Sequence, residues 1–360
     1  MKNGSGNFTI SSGLCEKETE SEMIAHAVFL SIVMAFTLFG NFLVIGTVAT
    51  YQKLRTVTNY FVISLAVSDV LVGMTTLPLK IDQMIHNKKW CHGIELCTSW
   101  IIADIVCNCA SIWNLVLISI DRALAISYPF HYREMITKRK ASLLISLVWA
   151  GSILMAFLGM LNWTFPGQEH IFTVFSCQKG DRVYYTVVTV LGFFLPLIII
   201  LVSYGFVFSI ALSQAKKTVA VTGRRNSLTT VHFLREFKAG KTLAIVVGAF
   251  IVCWLPFFII LLYTFWAPLK FYKWSLNNKL AFEFVDVTFI YLLTSVNSAL
   301  NPFIYALFNT EFRRGFLKFF FKIIRVRARQ QNGSDALSAS HNSRRRSSTP
   351  FAFLKRNSSV

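Results

Sequence analysis

The chain has 360 residues, of which 54% are hydrophobic, 15% aromatic and only 15% charged, and its formal net charge is +19. A soluble domain carries about 25% charged residues, so this chain has too little charge to coat a water-exposed surface. The same figures exclude a disordered chain, a collagen and a disulfide-rich mini-domain, and leave the membrane class.

In chain order, seven apolar segments are long enough to cross a bilayer as helix, which takes about 20 residues. They run Met23–Thr50, Asn59–Met84, Leu96–Ile126, Ala141–Leu161, Tyr184–Leu212, Thr242–Trp266 and Phe284–Phe308. All are too long for barrel strands and none alternates polar with apolar. Lipid offers the backbone no hydrogen bonds, so they are predicted to be helices. The fold class is an all-α seven-transmembrane bundle over residues 23–308. No repeat relates the two halves, which argues against an inverted-repeat transporter. Residues 1–22 are polar and lack the apolar core of a cleavable signal, so the first span is expected to direct its own insertion.

With the N-terminus outside, the inner side collects 26 of the 36 Lys and Arg and only 5 acids, while the outer side has 10 of each. Lys and Arg accumulate on the cytoplasmic side of membrane proteins. The net charge therefore reads as topology and not as nucleic-acid binding. Sequons at Asn3, Asn7 and Asn162 then face outward as glycosylation candidates. Cys107, Cys109 and Cys253 fall within spans. Cys15, Cys91, Cys97 and Cys177 fall outside, where disulfides persist. A Cys97–Cys177 bridge would tie the loop before span 5 over the bundle mouth, leaving Cys15–Cys91 as the remaining pair. No cysteine or histidine grouping has zinc spacing.

A charge at mid-bilayer costs about 2.5–3.5 kcal/mol, which makes intramembrane acids functional candidates. Asp69 lies midway along span 2 and Asp104 in the outer third of span 3. Asp121–Arg122 ends span 3, and the 18 residues from Asp104 to Arg122 amount to about five helical turns. One helix face thus carries an acid toward the outer mouth and a guanidinium toward the cytoplasm.

With those residues in place, the chain resembles the rhodopsin-like (class A) G-protein-coupled receptors over about residues 23–325. The matching motifs are Gly40–Asn41, Leu65–Asp69, Cys97 with Asp121–Arg122–Ala123, Trp149, Pro196 with Tyr204, Cys253–Pro256 and Asn301–Tyr305. The resemblance implies a receptor and not an enzyme. It implies a packing switch of Ile112, Pro196 and Phe250, and a movable span 6 hinged at Pro256, where a backbone donor is missing. It implies a latch from Arg122 to Glu236, a Tyr204–Tyr305 pair and Pro302 in span 7. It also implies an allosteric sodium site at Asp69, Ser111, Asn297, Ser298 and Asn301, whose oxygens suit a hard cation. A water-filled polar network is the alternative there. Ala123 stands where the family usually has Tyr, which bears on second-loop contacts and basal activity.

Within the class, the closest resemblance is to aminergic receptors. It makes Asp104 the partner of a ligand ammonium and Phe257 and Phe258 the walls for its ring. Ile105, Asn108, Val188, Thr189, Gly192, Trp254, Tyr291 and Ser295 complete the expected ligand site. The pattern departs from that group in two places. Leu292 and Ser295 replace a Trp and a Tyr of span 7, and span 5 lacks the serines that hold a catechol. Lys80, beside Pro78 and Asp82, is expected to reach the headgroups or pair with Asp82, with Asp104 as the competing partner. Span 2 also looks like adenosine receptors, but their span 7 His is Ser295 here. Span 7 has no Lys between Ala281 and Phe308 to hold retinal. A nucleoside or peptide ligand is the alternative within the class, and a transporter the alternative outside it.

Phe308 and, within residues 309–325, Phe312, Phe316 and Phe320 recur at every fourth position among basic residues, as in a helix lying on the inner leaflet. Residues 326–360 are rich in Ser and Arg and read as a disordered tail. Arg224–Ser227 and Arg345–Ser348 resemble basophilic kinase sites, so a receptor kinase and an arrestin are expected partners beside the heterotrimeric G protein and membrane lipid. The expected location is the plasma membrane. The stimulatory type of G protein is suggested by the short third inner loop.

Overall fold

The computed structural model describes residues 21–128, 130–159, 177, 182–220 and 228–322. For residues 211–220, 228–243 and Arg133 it describes the backbone alone. The described residues contain no strand. Seven helical spans are long and apolar enough to cross a membrane: Ser21–Thr50, Val57–Ile85, Ile94–Ser127, Lys138–Leu158, Arg182–Ile210, Ala244–Trp266 and Lys279–Phe308. They are called spans 1 to 7 below. Asn3, Asn7, Cys15, Asn162, the two kinase-like sites and the 326–360 tail lie outside the described residues.

Span 3 is the axis of the bundle and packs against spans 2, 4, 5 and 6. Span 1 lies against spans 2 and 7, and span 7 closes onto span 6. The core runs along this axis through Leu65, Ile112, Leu115, Ile118, Phe193, Ile200, Phe250 and Trp254. Large apolar side chains also cover the outside: Phe36, Phe39, Phe42, Leu143, Leu154, Ile198, Phe206 and Val252 are all exposed. Water would disfavour so continuous an apolar coat, and lipid does not. Asn41 fixes span 1 to span 7 by donating to the Ser298 carbonyl at 3.0 Å. Trp149 of span 4 donates to Ser64 of span 2 at 3.0 Å.

Three spans contain a turn wider than an α-helix, which the hydropathy pattern does not reveal. These turns are Val72–Thr76 in span 2, Val190–Phe194 in span 5 and Asp286–Leu292 in span 7. The first two are followed closely by Pro78 and Pro196, where a ring removes a backbone donor. Pro256 sits inside a helix that runs unbroken from Leu228 to Trp266, beginning well before the predicted start of span 6. A short helix, Pro268–Asn277, fills the third outer loop. The helix of span 5 continues to Ala220, so the third inner loop is largely helical extension.

The outer end is tied by several links. Cys97 and Cys177 are bridged, with Cα atoms 5.6 Å apart, and Trp90 and Trp100 pack beside them. Cys91 is also in a disulfide. Lys88 pairs with Asp286 at 3.0 Å and Glu283 at 3.6 Å, joining the first outer loop to span 7.

At the inner end, Asn309 caps a helix over residues 310–322 by accepting from the amides of Glu311 and Phe312. The four phenylalanines divide between the bundle and the outside. Phe312 is buried and stacks on Tyr305 with ring centroids 5.3 Å apart, and Phe316 packs beside it. Gly315 meets Thr47 and Leu54, and Phe319 meets Gly46. Phe308 and Phe320 remain exposed. The helical period of 3.6, with i+3 and i+4 neighbours, sets this face, and a strict interval of four drifts off it. Lys318 lies over the Tyr51 ring at 4.8 Å.

Gly40 permits the closest approach of spans 1 and 7, because a Cβ there would lie 2.8 Å from Pro302 Cβ and Cγ. Gly40→Ala is therefore expected to lower the Tm of the detergent-purified protein, corresponding to about 1–3 kcal/mol of overpacking. Gly248→Ala, where no atom lies within 4 Å of the new methyl, should leave the Tm unchanged or raise it.

Candidate functional site

Asp104 projects from the outer part of span 3. Its Oδ1 is buried without a hydrogen-bond partner. A buried carboxylate oxygen with no donor is costly, so such an atom marks a place built for a partner. The described residues supply no ion pair to this carboxylate.

The wall across from span 3 is aromatic. Phe258 stacks on Phe193 at 4.4 Å and on Trp254 at 5.7 Å, and Phe257 meets Trp254 edge-on at 5.7 Å. Phe193 also touches Phe250 at 5.6 Å. Phe193 is fully buried and joins span 5 to the span 6 aromatics, yet nothing in the sequence set it apart from its apolar neighbours. Ile112 and Phe250 share the same core cluster, and Pro196 is buried. The Trp254 Nε1 donor is buried and unsatisfied.

Val188, Thr189 and Gly192 are buried on span 5, and a Cβ at Gly192 would lie 3.3 Å from Cys109 Sγ on span 3. Thr189 Oγ1 is buried without a partner. Ile105 and Asn108 are half-buried on the Asp104 helix. Tyr291 packs into a cluster of Met23, Ala27, Leu30, Met84 and Val287, between spans 1, 2 and 7. Ser295 is buried and spends its hydroxyl on the Tyr291 carbonyl at 2.6 Å.

Lys80 departs from its expected course. It neither reaches the headgroups nor pairs with Asp82. Its Nζ turns into the bundle and donates to Thr294 Oγ1 of span 7 at 3.2 Å. Asp82 is engaged instead by His92 at 2.8 Å and His86 at 3.4 Å. These two histidines satisfy the acid locally and leave the lysine free to turn inward.

Deeper in, Asp69 is fully buried and accepts from Asn301 Nδ2 at 2.8 Å. Ser298 stands beside the carboxylate. Asp69 Oδ1 and Ser111 Oγ are both buried without partners, and Asn297 is buried nearby on span 7. This is a cluster of hard oxygen donors with vacant lone pairs.

At the inner end of span 3, Asp121 is almost completely buried. It accepts from Arg122 Nη2 at 2.7 Å, from Thr58 Oγ1 at 2.6 Å and from the Tyr132 hydroxyl at 2.5 Å. Arg122 also donates to Thr58. The Glu236 side chain lies outside the described residues, so the Arg122–Glu236 latch stays an expectation. Thr58 and Tyr132 belong to this site and the sequence did not mark them. Tyr132 supplies a second-loop contact despite Ala123. The Tyr204 and Tyr305 hydroxyls are buried without partners.

The arrangement matches a family model. Residues 40–305 fit the description "7 transmembrane receptor (rhodopsin family)", and the chain belongs to that family. It is a class A G-protein-coupled receptor of the aminergic-like kind, and so not an enzyme. Among its relatives, the D(1A) dopamine receptor of Xenopus laevis is 34% identical, covering 84% of this chain and 73% of the relative. The D(1) dopamine receptor of Carassius auratus is 34% identical over 85% and 90%. The human alpha-1A adrenergic receptor is 32% identical over 92% and 76%.

Burial, and then the Asp121 charge, push the Tyr132 hydroxyl up from 10.0 to about 12. A raised acidity constant means that the folded state holds the proton more tightly. The contribution of this bond is therefore complete below pH 10 and disappears as the pH rises through about 12. Tyr132→Phe should lower the Tm at neutral pH, by the equivalent of about 1.5–3 kcal/mol for a bond to a charged acceptor. Its Tm should also lose this tyrosine's share of the alkaline decline when unfolding is followed across that pH range.

Proposed function

We propose that the chain is a plasma-membrane receptor that binds a small amine at Asp104 and signals through a heterotrimeric G protein. The observation that carries this reading is the buried, unpartnered Asp104 Oδ1 on the outer part of span 3, in a bundle whose spans 5 and 6 meet through aromatic rings. A ligand ammonium supplies the missing donor with a charge-assisted bond. The ring of an arylamine packs against Phe257 and Phe258. Contact with Trp254 then biases span 6 about Pro256, shifting the population toward a state with an open cytoplasmic cleft. The dopamine and adrenergic names of the relatives support an amine, and the absence of serines at Val188, Thr189 and Gly192 points away from a catechol.

In this reading the N-terminus is extracellular, Asn3, Asn7 and Asn162 are glycosylated, and the 310–322 helix rests on the inner leaflet. A receptor kinase and an arrestin act on the basic, serine-bearing inner segments. Asp69, Ser111, Asn297, Ser298 and Asn301 would hold a sodium ion. The fit rests on the unsatisfied Asp69 Oδ1 and Ser111 Oγ. Held there, a sodium ion would supply the positive charge that balances the Asp69 carboxylate.

The ligand reading is tested with an amine panel on cells expressing the chain, reading cyclic AMP and calcium. An activating amine should lose at least about tenfold in potency on Asp104→Asn at equal surface expression. An undiminished response from that variant defeats the ammonium assignment. For sodium, agonist affinity should be weaker in sodium than in a bulky organic cation at equal ionic strength, and Asp69→Asn should abolish the difference.

A further inference from the structure

Lys80, near the outer end of the bundle, has a position that the receptor reading leaves unexplained. A lysine turned inward from a membrane span is expensive and calls for a partner. Its ammonium has three donors, and among the described residues its side chain hydrogen-bonds only the neutral hydroxyl of Thr294, at 3.2 Å. Among the described residues it forms no ion pair with a carboxylate. No hydrogen bond or ion pair joins it to Asp104. If the two charges closed on each other, they would form an internal ion pair and leave neither group for a ligand. Instead Thr294 holds Lys80 on the side of span 7, and Asp104 keeps an unpartnered oxygen on span 3. The outer bundle thus presents an acid and a base of opposite charge, each short of hydrogen-bond partners.

We infer that the ligand is a zwitterion, a small molecule carrying both an ammonium and a carboxylate, with Asp104 taking the first and Lys80 the second. This inference rests on the amine reading of Asp104 and adds the anionic end. A molecule with both groups satisfies the two desolvated charges together. A simple amine satisfies one and leaves Lys80 facing its new positive charge. Like charges placed together in a low-dielectric site repel. The site should therefore favour amino acids over the amines that lack only the carboxyl group. Leu292 and Ser295 are consistent with this, because neither builds an aromatic lid over an ammonium from span 7.

The test uses full-length receptor purified in detergent, with binding read as a ligand-dependent rise in Tm. The probes are phenylalanine against phenethylamine, and a ladder of ω-amino acids of increasing length against the matching alkylamines. At least one amino acid should bind wild type more tightly than its amine. Lys80→Met should lose about tenfold or more for that amino acid and gain affinity for the amine, since the opposing charge is gone, while Lys80→Arg retains part of the amino-acid binding. If no amino acid binds wild type, or if Lys80→Met binds it as tightly as before, the inference is overturned. Asp104→Asn is the separate arm, scored with the simple amines alone. Amine binding that survives that change sinks the ammonium reading itself, whatever Lys80 does.

Discussion

Lipid cannot solvate a polar group, and this constraint shapes every part of the molecule. Helices satisfy the backbone internally. The side chains must find partners across the bundle, and most do: Asn41 on Ser298, Trp149 on Ser64, Asn301 on Asp69. Against that background the unsatisfied atoms are informative. Asp104 Oδ1, Thr189 Oγ1, Trp254 Nε1, Asp69 Oδ1, Ser111 Oγ and the hydroxyls of Tyr204 and Tyr305 belong to spans 2, 3, 5, 6 and 7. Many of these polar groups lie along the bundle between the outer acid and the inner guanidinium, and the apolar coat lies outside them.

The inner end shows the opposite condition. Asp121 is saturated by Arg122, Thr58 and Tyr132, so a helix end, a neighbouring span and a loop all converge on one buried carboxylate. An acid held by three donors is a clamp, whereas an acid with a missing donor is a receptor for something else. The same residue type serves two purposes at the two ends of one helix, and the number of partners distinguishes them.

The seven spans were legible because length and hydropathy alone determine them, and the motif residues were legible because they stand at fixed intervals along those spans. Three things were not. Lys80 turns toward Thr294 on span 7, a contact between residues far apart in the chain that no local pattern encodes. Phe193 is one apolar residue in a wholly apolar run, so composition could not single it out. Tyr132 sits in a short loop whose course is set by the bundle it touches. The inner-leaflet helix was recognised from its phenylalanines, but its buried face follows the helical period through Gly315 and Phe319 and not the interval of four.

The wide turn at Val72–Thr76 lies between Asp69 and Lys80. Such a turn takes in one residue beyond the α-helical quota, and one α-helical residue corresponds to about 100° of rotation. Everything outward of it on span 2 is therefore swivelled relative to Asp69. Aligning this chain with a relative that winds straight through that stretch would match letters correctly while misassigning their bearings. For the outermost two turns of that helix, kinship in sequence is a poor guide to which neighbour a side chain addresses.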